Sequence, residues 1–410
     1  MKVAFPLGIN ATFWLLVGSI RRLVEGQDDP NAYLLKGQPL TESLHKVAVC
    51  IPAHNEAMGI SHTIDSMTVS IPAQHVFIAS DGSDDETVTI AHQKGCQIVE
   101  FTPGQGKALA LKNLIDHFHL FDRFDYVLIA DADTVFGPDF FVQAVSRFAQ
   151  DPNLQVITAK AVVSLPQQVT SMRAYFLAYR VRLWQVLEWV FGYGQTWKHT
   201  NVNPVIPGYA SIYRSTTLRQ LNIYVPGIVI EDFSLSFEIH KKRLGRIGHF
   251  DAIWAVTQDP DNFVDYWNQL MRWNVGFFQT MKYWKIWPSL FGVFLVAFIL
   301  ENILTAFFFL LIPTFLTLFL LVELNNIHEP HLDSFLRRFS ISILVMFSVD
   351  YLFTLLVAWK HRDWRIAWHG LFFFVLHYVN AVIMFLAIPK AFLMVSDGRW
   401  HPPRRWQTSE

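Results

Sequence analysis

Charge is scarce in this 410-residue chain: 16% of its residues are Asp, Glu, Lys or Arg, where soluble domains usually carry ~25%. The charge is also balanced, with 33 Lys plus Arg against 34 Asp plus Glu and a formal net charge of −1. That balance gives no support for a nucleic-acid binder with a broad basic face. Cysteine is nearly missing. The two present, Cys50 and Cys96, exclude a disulfide framework and a four-cysteine zinc site. Both lie in apolar, strand-like runs and read as reduced core residues. Two phosphate-binding signatures are absent as well. Gly104-Gln105-Gly106-Lys107 fails as a Walker loop, because residue 101 is Phe and residue 108 is Ala. No third glycine completes a dinucleotide fingerprint.

The chain is rich in apolar surface: 52% is hydrophobic, with 36 Phe and 14 Trp. Disorder is ruled out, and an ordinary soluble enzyme is argued against. Residues 3–20 carry no charge and precede Arg21 and Arg22, close to the ~17–25 residues of a spanning helix. No small-residue cleavage pattern follows, so an anchor over residues 1–24 is expected, with its basic end cytoplasmic. Residues 289–324 are apolar apart from Glu301, Asn302, Pro313 and Glu323; 339–358 contain only Asp350, and 370–389 no charge. As one helix the 289–324 stretch would be roughly 54 Å long against a ~30 Å hydrocarbon core. It extends as a tilted helix or folds back near Asn302 or Pro313, and the basic count favours a cytoplasmic tail. Two further stretches carry helical apolar stripes, 172–190 and 263–287. They read as core helices or as helices in the headgroup plane that carry the soluble domain, and the neighbouring spans favour the second.

Between the anchor and the later spans, apolar runs alternate with polar helical segments. Strands are expected at 46–51, 75–79, 97–101, 126–130 and 155–159, and helices near 56–69, 84–94, 105–119 and 138–150. The alternation predicts a mostly parallel sheet covered by helices. Ligands bind beyond the carboxyl ends of such strands, and there the chain is loaded with polar groups. Strand one runs into Pro52-Ala53-His54-Asn55-Glu56, strand two into Asp81-Gly82-Ser83-Asp84-Asp85, and strand four into Asp131-Ala132-Asp133. Asp84 is expected to be a helix N-cap. Asp131 and Asp133 suit a hard cation that shares its coordination with phosphate oxygens.

Taken in order, these pieces resemble the membrane-bound family 2 glycosyltransferases, the class of hyaluronan, poly-N-acetylglucosamine and cellulose synthases. The others that match are Gly106-Lys107-Ala108, Glu231-Asp232 and the Gln-x-x-Arg-Trp signature Gln269-Leu270-Met271-Arg272-Trp273. The resemblance covers residues 46–288 and, in layout, the later spans. It implies a Rossmann-like α/β GT-A domain over 45–260, an interface helix over 261–288, a helical transmembrane bundle over 289–395 and a basic, aromatic tail over 396–410. Ala53, Glu56 and Asp81 are implied to hold the uridine, with Lys107 near it. Asp131 and Asp133 would bind Mg²⁺ or Mn²⁺ together with the diphosphate. Asp232, with Glu231 beside it, is implied as the general base. Gln269, Arg272 and Trp273 would shape the junction between diphosphate and acceptor. Residues 207–210 are implied to line the acceptor side. Three departures stand out. Ile230 replaces a frequent Thr, one N-terminal span stands where many relatives have two or more, and Trp400 and Arg404 resemble the gating tail of hyaluronan-type synthases without its spacing.

The chemistry asks for these groups on its own account. A cation and an arginine stabilise the charge growing on a leaving diphosphate. A carboxylate activates a sugar hydroxyl, typically by 10²–10⁴-fold. The expected function is an inverting, UDP-sugar-dependent hexosyltransferase that extends and translocates a β-linked polysaccharide. Its expected setting is a multi-pass protein of the plasma membrane with a cytoplasmic catalytic domain and no nucleic-acid partner. The runner-up adds one sugar to a lipid, such as a polyprenyl phosphate or a ceramide-like acceptor. A non-catalytic transporter or scaffold is the third class, against which the complete carboxylate set argues. Glu301 lines a polymer path or pairs within the bundle.

Overall fold

The computed structural model describes residues 9–25, 29, 31, 34–195, 199–325 and 329–393. Its strands are β1 (Val47–Ala53), β2 (Val76–Asp81), β3 (Gln97–Phe101), β4 (Tyr126–Ala130), β5 (Val135–Phe136), β6 (Leu154–Val162), β7 (Ala210–Arg214) and β8 (Arg246–Val256). The helices that frame the site are α1 (Ile9–Glu25), α2 (Lys107–His117), α3 (Ser171–Leu187), α4 (Glu231–Lys242) and α5 (Phe263–Trp284). After them come α6 (Leu290–Leu324), α7 (Pro330–His361), α8 (Trp364–Gly370) and α9 (Phe373–Leu393).

All eight strands form one sheet, ordered β3-β2-β1-β4-β7-β6-β8-β5. Every residue of β1 is buried, the continuous apolar run that a strand covered on both faces requires. Helices Ile60–Thr68 and Phe140–Gln150 pack on one face through Ile60, Ile64, Phe140 and Ala144. On the other face, α2 and α4 pack through Ala110, Leu114, Leu235 and Ile239. The five expected strands all form. The parallel expectation holds for β1 to β4, whereas β7 runs antiparallel between β4 and β6. β1 has β2 on one side and β4 on the other, so the chain reverses direction across the sheet there. The carboxyl ends of β1 and β4 flank the crevice that such a reversal opens.

Helices α6, α7 and α9 are long and apolar enough to cross a membrane. The 289–324 stretch is one unbroken helix through Pro313, so it does not fold back. Helix α9 starts against α3 and ends against α5. The Tyr175 hydroxyl of α3 donates to Phe372 O at 2.8 Å, and Lys282 Nζ of α5 donates to Phe392 O at 3.3 Å. In α1, the Asn10 N–H donates to Glu301 Oε1 at 3.1 Å, so Glu301 links α6 to the start of α1. Arg22, near the other end of α1, forms an ion pair with Asp251 of β8 at 2.9 Å.

The 172–190 stripe is not a simple surface helix. In α3 the sheet covers one side and α7 and α8 another, so Arg180 and Arg182 are buried along with Phe176 and Tyr179. Arg182 pairs with Asp350 of α7, and His377 of α9 meets the same carboxylate at 3.2 Å. The helix ends in a π-turn, Glu188–Tyr193, whose Glu188 lies 3.5 Å from Lys160 of β6.

Candidate active site

Asp81 closes β2, and its carboxylate accepts the backbone N–H groups of Gln105 at 2.5 Å and Gly106 at 2.8 Å. These bonds pin the 104–106 loop to the strand end. Gly106 takes the left-handed φ of 90° that lets the chain turn into α2. Lys107 is the first residue of that helix. Its side chain reaches the carboxylates at the sheet edge. Lys107 Nζ is 2.8 Å from Asp131 Oδ1 and 3.4 Å from Glu231 Oε1.

Asp131 follows β4 directly, and its N–H donates to Tyr209 O at 3.1 Å, which ties the β4 end to the 207–210 loop. Glu231 and Asp232 form the first turn of α4, where the helix dipole favours acidic groups. Asp232 Oδ2 accepts the Gly208 N–H at 2.9 Å. A β-carbon on Gly208 would lie 2.5 Å from Asp232 Oδ1 and 3.1 Å from Lys107 Nζ, so any side chain there would displace Asp232. Burial first, and the neighbouring Glu231 second, push the Asp232 carboxyl up to about 7, against the pull of Lys107 and the Gly208 N–H. A carboxylate held there is suited to exchanging a proton near neutral pH.

The strand ends therefore bring together Asp81, Lys107, Asp131, Glu231 and Asp232. Ala53 is the buried last residue of β1, Glu56 is buried just beyond it, and Asp133 is buried after β4. The N-cap expectation for Asp84 is corrected. Asp85 holds that turn instead, accepting the N–H groups of Thr87 and Ala57 at 3.0 Å each, while the Asp84 N–H donates to Asn55 Oδ1.

The signature residues lie on α5, which docks on α4. Gly276 of α5 packs directly on Ile230, where a β-carbon would lie 3.0 Å from the Ile230 side chain, and the Val229 N–H donates to Gln279 Oε1 at 3.0 Å. Ile230, the departure from a frequent Thr, is thus the buried contact between the signature helix and the turn that carries Asp232. Gln269 Oε1 is buried without a hydrogen-bond partner among the described residues, and Arg272 is half-buried there without a carboxylate partner. Trp273 rests on α3, its ring centroid 4.9 Å from the Arg180 guanidinium and 6.3 Å from the Trp184 ring.

The sequence marks Arg180 only as a charge between the apolar residues of the 172–190 stripe and gives no role to its partner Asp259. Arg180 is fully buried, and its guanidinium pairs with the buried carboxylate of Asp259. Asp259 Oδ2 also accepts from Trp184 Nε1 at 2.9 Å and from the Thr257 hydroxyl at 3.2 Å. Two residues on, Asp261 pairs with Arg173 at 2.5 Å, so the loop before α5 clamps α3 twice. The available signal was an arginine inside an apolar helical stripe, together with Asp259-Pro260-Asp261 just ahead of the signature helix. Trp400 and Arg404 lie outside the described residues.

Residues 45–276 match the family described as glycosyltransferase like family 2. The chain belongs to that family. It is 21% identical over 404 residues to a poly-β-1,6-N-acetyl-D-glucosamine synthase of Staphylococcus epidermidis, covering 91% of this chain and 93% of that one. A synthase of the same name from Staphylococcus aureus is 22% identical over 258 residues, 59% of this chain and 58% of that one. The fold matches a mannosyltransferase from Pyrobaculum calidifontis, solved with GDP-Man and Mn²⁺, at a TM-score of 0.57 and 15% identity over 94% of this chain and 96% of that one. The protein is thus a glycosyltransferase with a GT-A domain and apolar helices following it.

Proposed function

We propose that this transferase is an inverting, metal-dependent enzyme that takes its sugar from a UDP-sugar and extends a β-linked glycan processively, moving it across the membrane. The observation that carries the reading is the meeting of Asp131, Lys107, Glu231 and Asp232 at one sheet edge, beside the Gln-x-x-Arg-Trp helix. The named relatives, similar over most of the chain, make UDP-N-acetylglucosamine the first donor to test.

The residues fit a divalent cation. Among the described residues no three His, Cys, Asp or Glu side chains form a closed metal cage. Mg²⁺ and Mn²⁺ need none here, because they take one or two carboxylates and complete their shell with phosphate oxygens and water. Asp131 and Asp133 would hold the ion, whose charge would offset that of the leaving diphosphate. Ala53, Glu56 and Asp81 would hold the uridine side, Asp81 through the loop it anchors. Arg272, which pairs with no carboxylate among the described residues, would meet the diphosphate. In the transfer, the acceptor oxygen bonds to the anomeric carbon as the bond from sugar to phosphate breaks. Asp232 receives the hydroxyl proton, Glu231 keeps its charge environment, and the direct displacement inverts the anomeric centre. Trp273 and Gln269 would place the acceptor, with the 207–210 loop on the same side.

The chain would sit as a multi-pass protein of the plasma membrane with its catalytic domain in the cytoplasm. Arg21 and Arg22 support that side, since they end α1 at the sheet, with Arg21 Nη1 donating to Tyr193 O at 2.5 Å and Arg22 pairing with Asp251. Incubating the purified protein with labelled UDP-N-acetylglucosamine, a panel of other UDP-sugars and Mn²⁺, then sizing the product, tests the reading. A high-mass glycan is expected. One sugar in an organic-extractable lipid refutes processive synthesis, and no turnover with any donor refutes the enzyme assignment for this site.

A further inference from the structure

Lys107 occupies the centre of the carboxylate cluster. Its ammonium bonds Asp131 Oδ1 at 2.8 Å and lies 3.4 Å from Glu231 Oε1, a buried oxygen with no hydrogen-bond partner among the described residues. Gly208 leaves the space through which Lys107 and Asp232 approach each other. Three carboxylates thus share one cation, and for Glu231 Oε1 that cation is the compensating group.

We infer that Lys107 is the resident cation of this site, holding the carboxylates together while it is empty and competing with the divalent ion for Asp131 until a diphosphate draws the ammonium away. The inference rests on the metal-and-nucleotide reading above and adds an order to it. An ion arriving alone meets a fixed positive charge on Asp131, and displacing that charge leaves Glu231 buried and uncompensated. An ion arriving with a nucleoside diphosphate brings phosphate oxygens to which Lys107 can turn. A flexible four-carbon stem at the start of an α-helix suits that movement. Metal and nucleotide therefore bind synergistically, and the lysine sets the size of the synergy.

The test is Mn²⁺ binding by the full-length, detergent-purified chain, read from the electron paramagnetic resonance signal of free Mn²⁺, with and without UDP. Wild type is expected to bind Mn²⁺ weakly alone and much more tightly with UDP. Lys107→Met removes the competing charge, so it should bind Mn²⁺ alone on the order of ten-fold more tightly than wild type and bind UDP on the order of ten-fold more weakly. Lys107→Gln, which keeps a donor for Asp131 without the charge, should show the same shift and serves if the Met variant does not fold. A folded variant of either kind whose Mn²⁺ affinity without UDP stays within about three-fold of wild type overturns the inference. Wild type that binds no Mn²⁺ even with UDP overturns the metal reading itself, a separate outcome.

Discussion

The buried pair of Arg180 and Asp259 gives the sharpest quantitative test of how this site is held. Asp259→Asn keeps the shape and leaves one oxygen to accept from Trp184 Nε1 and the Thr257 hydroxyl, but it strands a fully buried guanidinium between two indole rings. Breaking one side of a buried pair costs about 3–5 kcal/mol. For a domain of this size, ~1 kcal/mol corresponds to about 2–4 °C, so the melting midpoint should fall by roughly 6–20 °C. Arg180→Met should cost a similar amount, because Asp259 then keeps only its two neutral donors. The double variant Arg180→Met/Asp259→Leu removes both charges and should recover most of the loss, with a coupling of about 2 kcal/mol or more. Thermal unfolding in detergent, followed by the intrinsic fluorescence that Trp184 and Trp273 contribute, measures all four proteins. A second readout separates positioning from bulk stability. Below its melting range, the folded Asp259→Asn protein should show a raised acceptor KM with UDP affinity within about three-fold of wild type, since Trp273 rests on Arg180 and the nucleotide side does not. Singles that melt within about 3 °C of wild type, or a double variant no more stable than the singles, would refute the reasoning.

Asp232→Asn should lower transfer by about 10²–10⁴-fold while UDP binding persists. In the wild type the initial rate should rise with pH across about 7, because the carboxyl accepts a proton only once ionised and burial with Glu231 holds it up there. A rate that is flat across that range would remove Asp232 from the base role. Gly208→Ala places a methyl 2.5 Å from Asp232 Oδ1. It should cost at least about ten-fold in turnover, with about 1–3 kcal/mol of stability, measured by product formation and thermal unfolding.

Local pattern and chemistry were legible without coordinates wherever one segment carries its own signal. β1 announced itself as an apolar run because it is buried on both faces, and the acidic strand ends stood out because carboxylates are costly to gather without a ligand. The length of α6 was legible too, but not its path, since an unbroken helix and a fold-back contain the same residues. β7 was harder to read. It is a short segment whose antiparallel seat between β4 and β6 is decided by partners 53–88 residues away, and no local periodicity specifies such pairing.

By itself, then, the sequence determined the family, the GT-A class, the apolar helices and the identity of the acidic groups, because composition, spacing and order are local properties of the chain. Tertiary structure alone decided that Lys107 sits among the carboxylates, that Glu301 pairs with the start of α1, and that Arg180 and Asp259 lie under Trp273. Each of these depends on contacts between residues 79 or more positions apart or on a choice among neighbouring partners. Such contacts are selected by desolvation and packing, which raise the cost of leaving a buried charge alone until the fold supplies its counterpart.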